Sequence, residues 1–361
     1  MANLDLEALQ RSIAAEGAQW EAGETEMSGL SDDDFRLHLG AEPPADTASL
    51  FERERSAASR FEAEGAEALA TPASWDWRYQ DGANYLGAIR DQKSCGSCVA
   101  FGTIAAIEGT IRVTAKRPSL GVDLSEAHLF YCHGASEGRN CSNGWWPEQA
   151  LEAVQNKGIV DEDCFPYTAG DQACNPCRDA SSRLVKISAW RSLSSIAEMK
   201  TWISQKGPVI GCFTVYEDFR SYRGGVYRHV SGNQLGGHCI AIVGYSDAER
   251  AWIIRNSWGP AWAESGYGRI GYGEVGIDYE MWGVVASGGV PADTIVTVKN
   301  ALITALWVNA DATTAWAYID QYGWKKLPNA EFFTAAATAR VSRAKCTITM
   351  KADQVSELYV M

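Results

Sequence analysis

The hydrophobic period of this chain changes near Gly207, and that change narrows the possible folds more than any other feature. Before it, Phe101, Ile104, Ile107 and Ile111 recur at helical spacing and predict a helix over 97–115, with another over 146–156. After it the apolar runs are short and strand-like: Val209-Ile210, Gly225-Val226-Tyr227, Ile240–Tyr245 and Trp252-Ile253-Ile254. Helices first and strands later predict an α+β architecture in two lobes.

Two flanking segments differ from this centre. Residues 1–70 hold 16 acidic against 5 basic residues, a balance of −11 out of the chain's −13, and no cysteine. Leu6, Leu9 and Ile13 mark one helix face, Ser31 and Asp34 before Phe35 form a capping box, and Glu42-Pro43-Pro44 breaks the chain. A helix rich in Ala, Glu and Arg follows over 48–69, with Leu50, Phe51 and Phe61 as its few apolar anchors. So little apolar surface is expected to fold only against something else. At the other end, Gly288–Pro291 reads as a linker. Beyond it Ile295–Val298, Leu302–Val308, Ala315–Ile319 and Cys346–Met350 predict a small all-β unit.

A length of 361 residues suits two or three domains, and a 46% hydrophobic content allows a full core. No basic stripe is present, so a nucleic-acid partner is not expected. No apolar run of about 18 residues predicts a membrane span. Met1–Gln10 lacks the basic and apolar regions of a signal peptide. Ten cysteines, by contrast, read as disulfides made in an oxidising compartment: extracellular, periplasmic or lytic.

The chemistry concentrates at Asp91–Phe101. Cys98 stands where a loop becomes the long helix, and a helix N-terminus offers partial positive charge and free N–H groups. That setting is expected to lower the thiol's pKa and favour the thiolate. The N–H of Cys98 and the side chain of Gln92 are candidate donors to an oxyanion. His238 follows Gly236-Gly237 at the head of an apolar strand that would fix its ring. Asn256, in Arg255-Asn256-Ser257-Trp258-Gly259, is placed to orient that ring, and Trp258 to shield it from water.

These residues resemble the papain family of cysteine proteases. His238 lies 140 residues after Cys98, within that family's span of about 130–150, and Asn256 lies 158 after. Trp75-Asp76-Trp77-Arg78 resembles the start of a mature enzyme, and Phe165-Pro166-Tyr167, Tyr222-Arg223-Gly224-Gly225 and Trp262–Tyr267 match in order. The resemblance covers roughly residues 72–287. It implies a helical left lobe, a β-barrel-like right lobe and a cleft between them. It implies a cysteine endopeptidase that works through a thioester with no metal or organic cofactor. Residues 1–71 would be an inhibitory propeptide lying reversed in the cleft, 72–288 the catalytic domain, and 291–361 a β-rich extension with an unknown ligand. Protein or peptide substrates are the implied partners, with Cys98, His238, Asn256 and Gln92 as the catalytic set. The family pattern pairs Cys95 with Cys141 and Cys132 with Cys174, leaving Cys164 and Cys177 for an extra bridge. Cys212, Cys239 and Cys346 are expected to be buried free thiols. Val99 replaces the aromatic residue expected after the nucleophile, and the family's third disulfide has no obvious cysteines here.

Gly144 is expected to pair with the substrate backbone and Trp145 to line the P2 pocket. Gly211, Cys212, Gly236, Gly237, Trp258 and Met281 are expected nearby. That set carries no charge, so hydrophobic P2 side chains are the expected preference. Two rivals read the same residues differently: a catalytically silent papain-fold binding protein, and a redox or zinc pair at Cys95-Gly-Ser-Cys98. Trp307, Trp316 and Trp324 are expected to pack the core of the C-terminal unit, with a carbohydrate- or protein-binding face as the alternative.

Overall fold

A computed structural model describes residues 5–64, 71–286, 295–309, 314–319, 323–351 and 354–361. The linker over 287–291 lies outside the described residues, as does the boundary near residue 70.

The acidic segment forms α1 (Leu6–Ala15), β1 (Trp20–Ala22), α2 (Asp32–Arg36) and α3 (Leu50–Glu64). Each start has a local cause. Asp5 caps α1 by accepting from the N–H groups of Glu7 and Ala8, and Ser31 caps α2 by accepting from that of Asp34. The segment buries its few large apolar groups against the rest of the chain. Trp20 packs on Tyr222 and Tyr227, and Phe35 is fully buried edge-on to Trp258.

The central unit continues with β2 (Ser74–Asp76), α4 (Cys98–Ala115), α5 (Pro147–Asn156), β3 (Ile187–Leu193) and α6 (Ile196–Gln205). It ends with β4 (Val209–Tyr216), β5 (Tyr222–Tyr227), β6 (Gln234–Ser246), β7 (Ala251–Arg255), β8 (Tyr267–Gly271) and β9 (Met281–Ala286). α4 is apolar nearly all round because it is a core helix, packed on β6, β9 and α5. The strands form one sheet in the order β1-β5-β8-β7-β6-β4-β9-β3, with β2 added beside β6. β1, from the acidic segment, thus extends the sheet antiparallel along β5. Three disulfides tie the helical part: Cys95–Cys141, Cys132–Cys174 and Cys164–Cys177.

The C-terminal unit has β10 (Ile295–Ala301), β11 (Ile303–Val308), β12 (Ala315–Ile319), β13 (Gly323–Leu327), α7 (Ala330–Ser342), β14 (Cys346–Lys351) and β15 (Gln354–Val360). Its six strands run in the order β10-β14-β15-β13-β12-β11. The β-rich reading holds, but one helix was not anticipated. α7 is capped by Asn329 and rich in alanine, the best helix former, and it has no marked apolar stripe to reveal it. The core-packing expectation for the tryptophans is corrected: Trp307 and Trp324 are 51% and 45% exposed. The buried face belongs instead to Ala317, Ile319, Ile348 and the α7 alanines Ala336 and Ala339, because residues alternate across a strand.

Candidate active site

α4 begins at Cys98, so the thiol sits at the helix N-terminus. The helix packs on β6, the strand that carries His238 and Cys239. His238 is fully buried, and its Nε2 lies 2.8 Å from the Oδ1 of Asn256. An amide oxygen only accepts, so this contact holds the proton on Nε2. Nδ1 therefore keeps its lone pair, and it is buried with no hydrogen-bond partner among the described residues. The same Asn256 oxygen accepts the N–H of Ser257, which fixes the amide's orientation. Trp258 covers the imidazole at 4.6 Å between ring centroids, and Phe213 meets it edge-on at 5.8 Å. Gln92 is locked from both ends: its Oε1 accepts from the Ser257 hydroxyl, and its Nε2 donates to the carbonyl of Cys95 at 2.9 Å. That Nε2 also donates to the carbonyl of His38, in the acidic segment, at 3.1 Å.

The segment after α2 fills the space around these groups. Gly40 and Ala41 donate their N–H groups to the carbonyl of Gly237, and Trp145 donates to the carbonyl of Gly40 at 2.8 Å. Glu42 donates back to the carbonyl of Trp145, and Ala41 and Trp145 form a parallel bridge. This tight passage needs small residues. A Cβ on Gly40 would lie 2.1 Å from the Gly96 carbonyl oxygen, and one on Gly237 equally close to that of Ala41.

Occlusion reverses one expectation. The helix N-terminus does favour a thiolate, but burial dominates here and pushes the Cys98 thiol well above its ordinary pKa. Burial likewise pushes His238 down to about 4, against the opposing pull of the Asn256 hydrogen bond. Both groups are therefore neutral in this closed arrangement. Cys95 is bonded to Cys141, so no Cys95–Cys98 dithiol exists for redox or zinc chemistry.

Two neighbouring assignments shift by one residue. The backbone pairing with the acidic segment is made by Trp145, while the N–H of Gly144 turns inward to the Asn140 carbonyl. The Trp145 ring points away from the cleft, packs on Gly134 and donates to Glu137 at 2.9 Å. Trp146 lines the adjacent cavity instead, with Cys212, Phe213, Thr214, Val275, Tyr279, Glu280 and Trp282. Met281 is fully buried in strand pairing with Leu193 and Gly211. Gly211 packs under Ile242, and Gly236 beside Leu39.

The cavity's charge is the feature the sequence reading missed. Glu280 reaches Arg53 of α3 at 3.1 Å, and the Arg53 guanidinium lies over the rings of Trp146 and Tyr279 at 4.7 and 4.8 Å. Met281 does not line the cavity, whereas its neighbour Glu280 does. Successive strand residues face opposite sides, so a one-residue slip exchanges a core methionine for a cleft carboxylate.

The sequence pattern described as "Papain family cysteine protease" matches residues 71–285. A gut-specific cysteine proteinase of Caenorhabditis elegans is 32% identical over 232 residues, 57% of this chain and 70% of that protein. A cathepsin B-like protein of Giardia intestinalis, CP3, is 32% identical over 265 residues, 70% of this chain and 84% of that protein. A solved structure of proCathepsin B S9 from Trypanosoma congolense shares the fold with a TM-score of 0.64 at 24% identity, covering 80% of this chain and all of that one.

Proposed function

Because the chain belongs to the papain family of cysteine proteases, we propose that it is a self-inhibited cysteine endopeptidase. Residues 1–71 act as the propeptide, 72–288 as the catalytic domain and 291–361 as an accessory domain. The observation that carries this reading is the His238–Asn256 pair, which leaves Nδ1 bare on β6, the strand against which the helix headed by Cys98 packs. With the cleft open, Nδ1 takes the thiol proton and the thiolate attacks the substrate carbonyl carbon. The oxyanion forms where the Gln92 Nε2 now meets the His38 carbonyl, so a propeptide oxygen holds that site in the closed state. His238 then protonates the leaving amine, and in the second half it activates water to hydrolyse the thioester. Three disulfides support maturation in an oxidising compartment.

The cavity at Glu280 replaces the expected hydrophobic preference with a basic one. Removing Arg53 would leave a carboxylate between two aromatic faces, a setting suited to guanidinium. Glu280→Gln is expected to lower kcat/KM for an Arg-containing peptide by about 10- to 100-fold, the loss of one charge-assisted contact of about 1.5–3 kcal/mol. A matched Leu peptide should change little. Equal losses on both peptides would remove this assignment.

Activation should respond to acid. In the closed chain His238 is held down near 4, whereas an opened cleft returns it towards an ordinary value of about 6.5. An open form whose Cys98 still carries its thiol proton then binds more protons between those values, so lowering pH favours opening and neutral pH gives no such help. The ion pair of Asp32 with Arg220 at 2.7 Å is a further contact that opening must break. Self-processing is expected to run roughly 10- to 100-fold faster at pH 4.5 than at pH 7. A time course by gel and intact mass tests the whole proposal: loss of residues up to about 71 should coincide with peptidase activity. No processing at either pH, with no activity after added protease, would leave the binding-protein reading in its place.

A further inference from the structure

Two thiols that the peptidase mechanism does not use face each other across β4 and β6. Cys212 and Cys239 are direct partners in the antiparallel register, so their side chains leave the same face of the sheet. Opposed residues in such a ladder have Cα atoms about 4.5–5.5 Å apart, inside the window of about 4.4–6.8 Å that a disulfide requires. Both are reduced, while six other cysteines are already bonded. Cys212 forms part of the Glu280 cavity wall. Cys239 reaches the second turn of α4, since a Cβ on Gly102 would lie 3.0 Å from its sulfur. One pair of sulfurs therefore touches both the cavity and the nucleophile's support.

We propose that Cys212 and Cys239 are an oxidisable dithiol that closes to a fourth, reversible disulfide when a small-molecule disulfide enters the Glu280 cavity. Cys212, on the cavity wall, attacks one sulfur of the incoming disulfide and expels the other half as a thiol. Cys239 then attacks the Cys212 sulfur of the mixed disulfide and expels the second half. Each attacking thiol gives up its proton, and each departing thiolate takes one. Two protein thiols and one small disulfide become one protein disulfide and two small thiols.

The site does not depend on peptidase turnover, so it is tested in the full chain carrying Cys98→Ala. That chain is incubated natively with oxidised glutathione, then denatured and alkylated with N-ethylmaleimide. A linked peptide pair spanning Cys212 and Cys239 is expected, with Cys346 the only thiol still alkylated and full reversal by dithiothreitol. Arg53→Ala, which unblocks the cavity, should speed closure at least about tenfold through greater access. Cys239→Ala should trap a stable glutathione adduct on Cys212, and Cys212→Val should take up no glutathione. Either of two results would overturn the proposal: both thiols alkylated after prolonged oxidation of the Arg53→Ala chain, or an unresolved glutathione adduct on Cys212 while Cys239 is present.

Discussion

A Cys98→Ala chain is expected to fold, keep its N-terminal segment in the cleft and lose peptidase turnover by roughly 10⁶-fold, the scale seen when a nucleophile is removed from an activated pair. Folding should survive because the change removes one buried sulfur and no disulfide, since Cys98 is outside the three bridges. The expected stability loss is about 1 kcal/mol, that of a small core truncation. The measurement is hydrolysis of an Arg-containing fluorogenic peptide after incubation at pH 4.5, beside the parent chain. Mass spectrometry of both shows whether the first 71 residues leave. The variant should neither process nor hydrolyse, yet added parent enzyme should still cleave its propeptide. Residual turnover above about one per cent would show that the sulfur is not the nucleophile. Asn256→Ala adds an independent check: with the Nε2 proton no longer held, kcat should fall while KM stays nearly constant.

What could be read from the sequence followed the range of the interactions. α4, the caps at Ser31 and the strand holding His238 depend on local spacing, and all were legible. The two-lobe α+β fold follows from the change of period near Gly207. Three features were not legible, each because it depends on contacts distant in sequence. The raised thiol of Cys98 reflects dehydration by residues some sixty positions upstream, which overrides the helix terminus that the sequence displays. Glu280 shows its role only once Arg53 is placed opposite it. The exchange of Trp145 for Trp146 turns on which of two adjacent rings faces the cleft, and their composition is identical. α7 failed for the opposite reason: its alanine-rich run carries strong propensity but a weak pattern.

Inhibition in this chain depends on a steric slot, which gives a test with a large effect in the opposite direction. Gly40 threads between Gly96, beside the Cys95–Cys141 bridge, and Gly237 in β6. Its would-be Cβ meets three Gly96 backbone atoms at 2.1, 2.6 and 2.8 Å, distances that only movement can relieve. The Gly96 side is anchored by a disulfide and a core helix, so the propeptide strand must give way. Gly40→Val should therefore cost the closed state at least the about 1–3 kcal/mol of overpacking, plus the Gly40, Ala41 and Trp145 hydrogen bonds lost as the strand lifts. That predicts about 10- to 200-fold faster labelling of Cys98 by an irreversible thiol probe such as E-64 at pH 7, where 1.4 kcal/mol is a factor of ten. Gly29→Ala is the matched control, because its Cβ would approach nothing closer than 3.8 Å. The catalytic unit should keep its own packing in both variants, since neither glycine belongs to it. If Gly40→Val labelled no faster than Gly29→Ala while both remained folded, the cleft would not be closed by this strand. Neutral-pH latency would then have to come from the neutral Cys98–His238 pair alone.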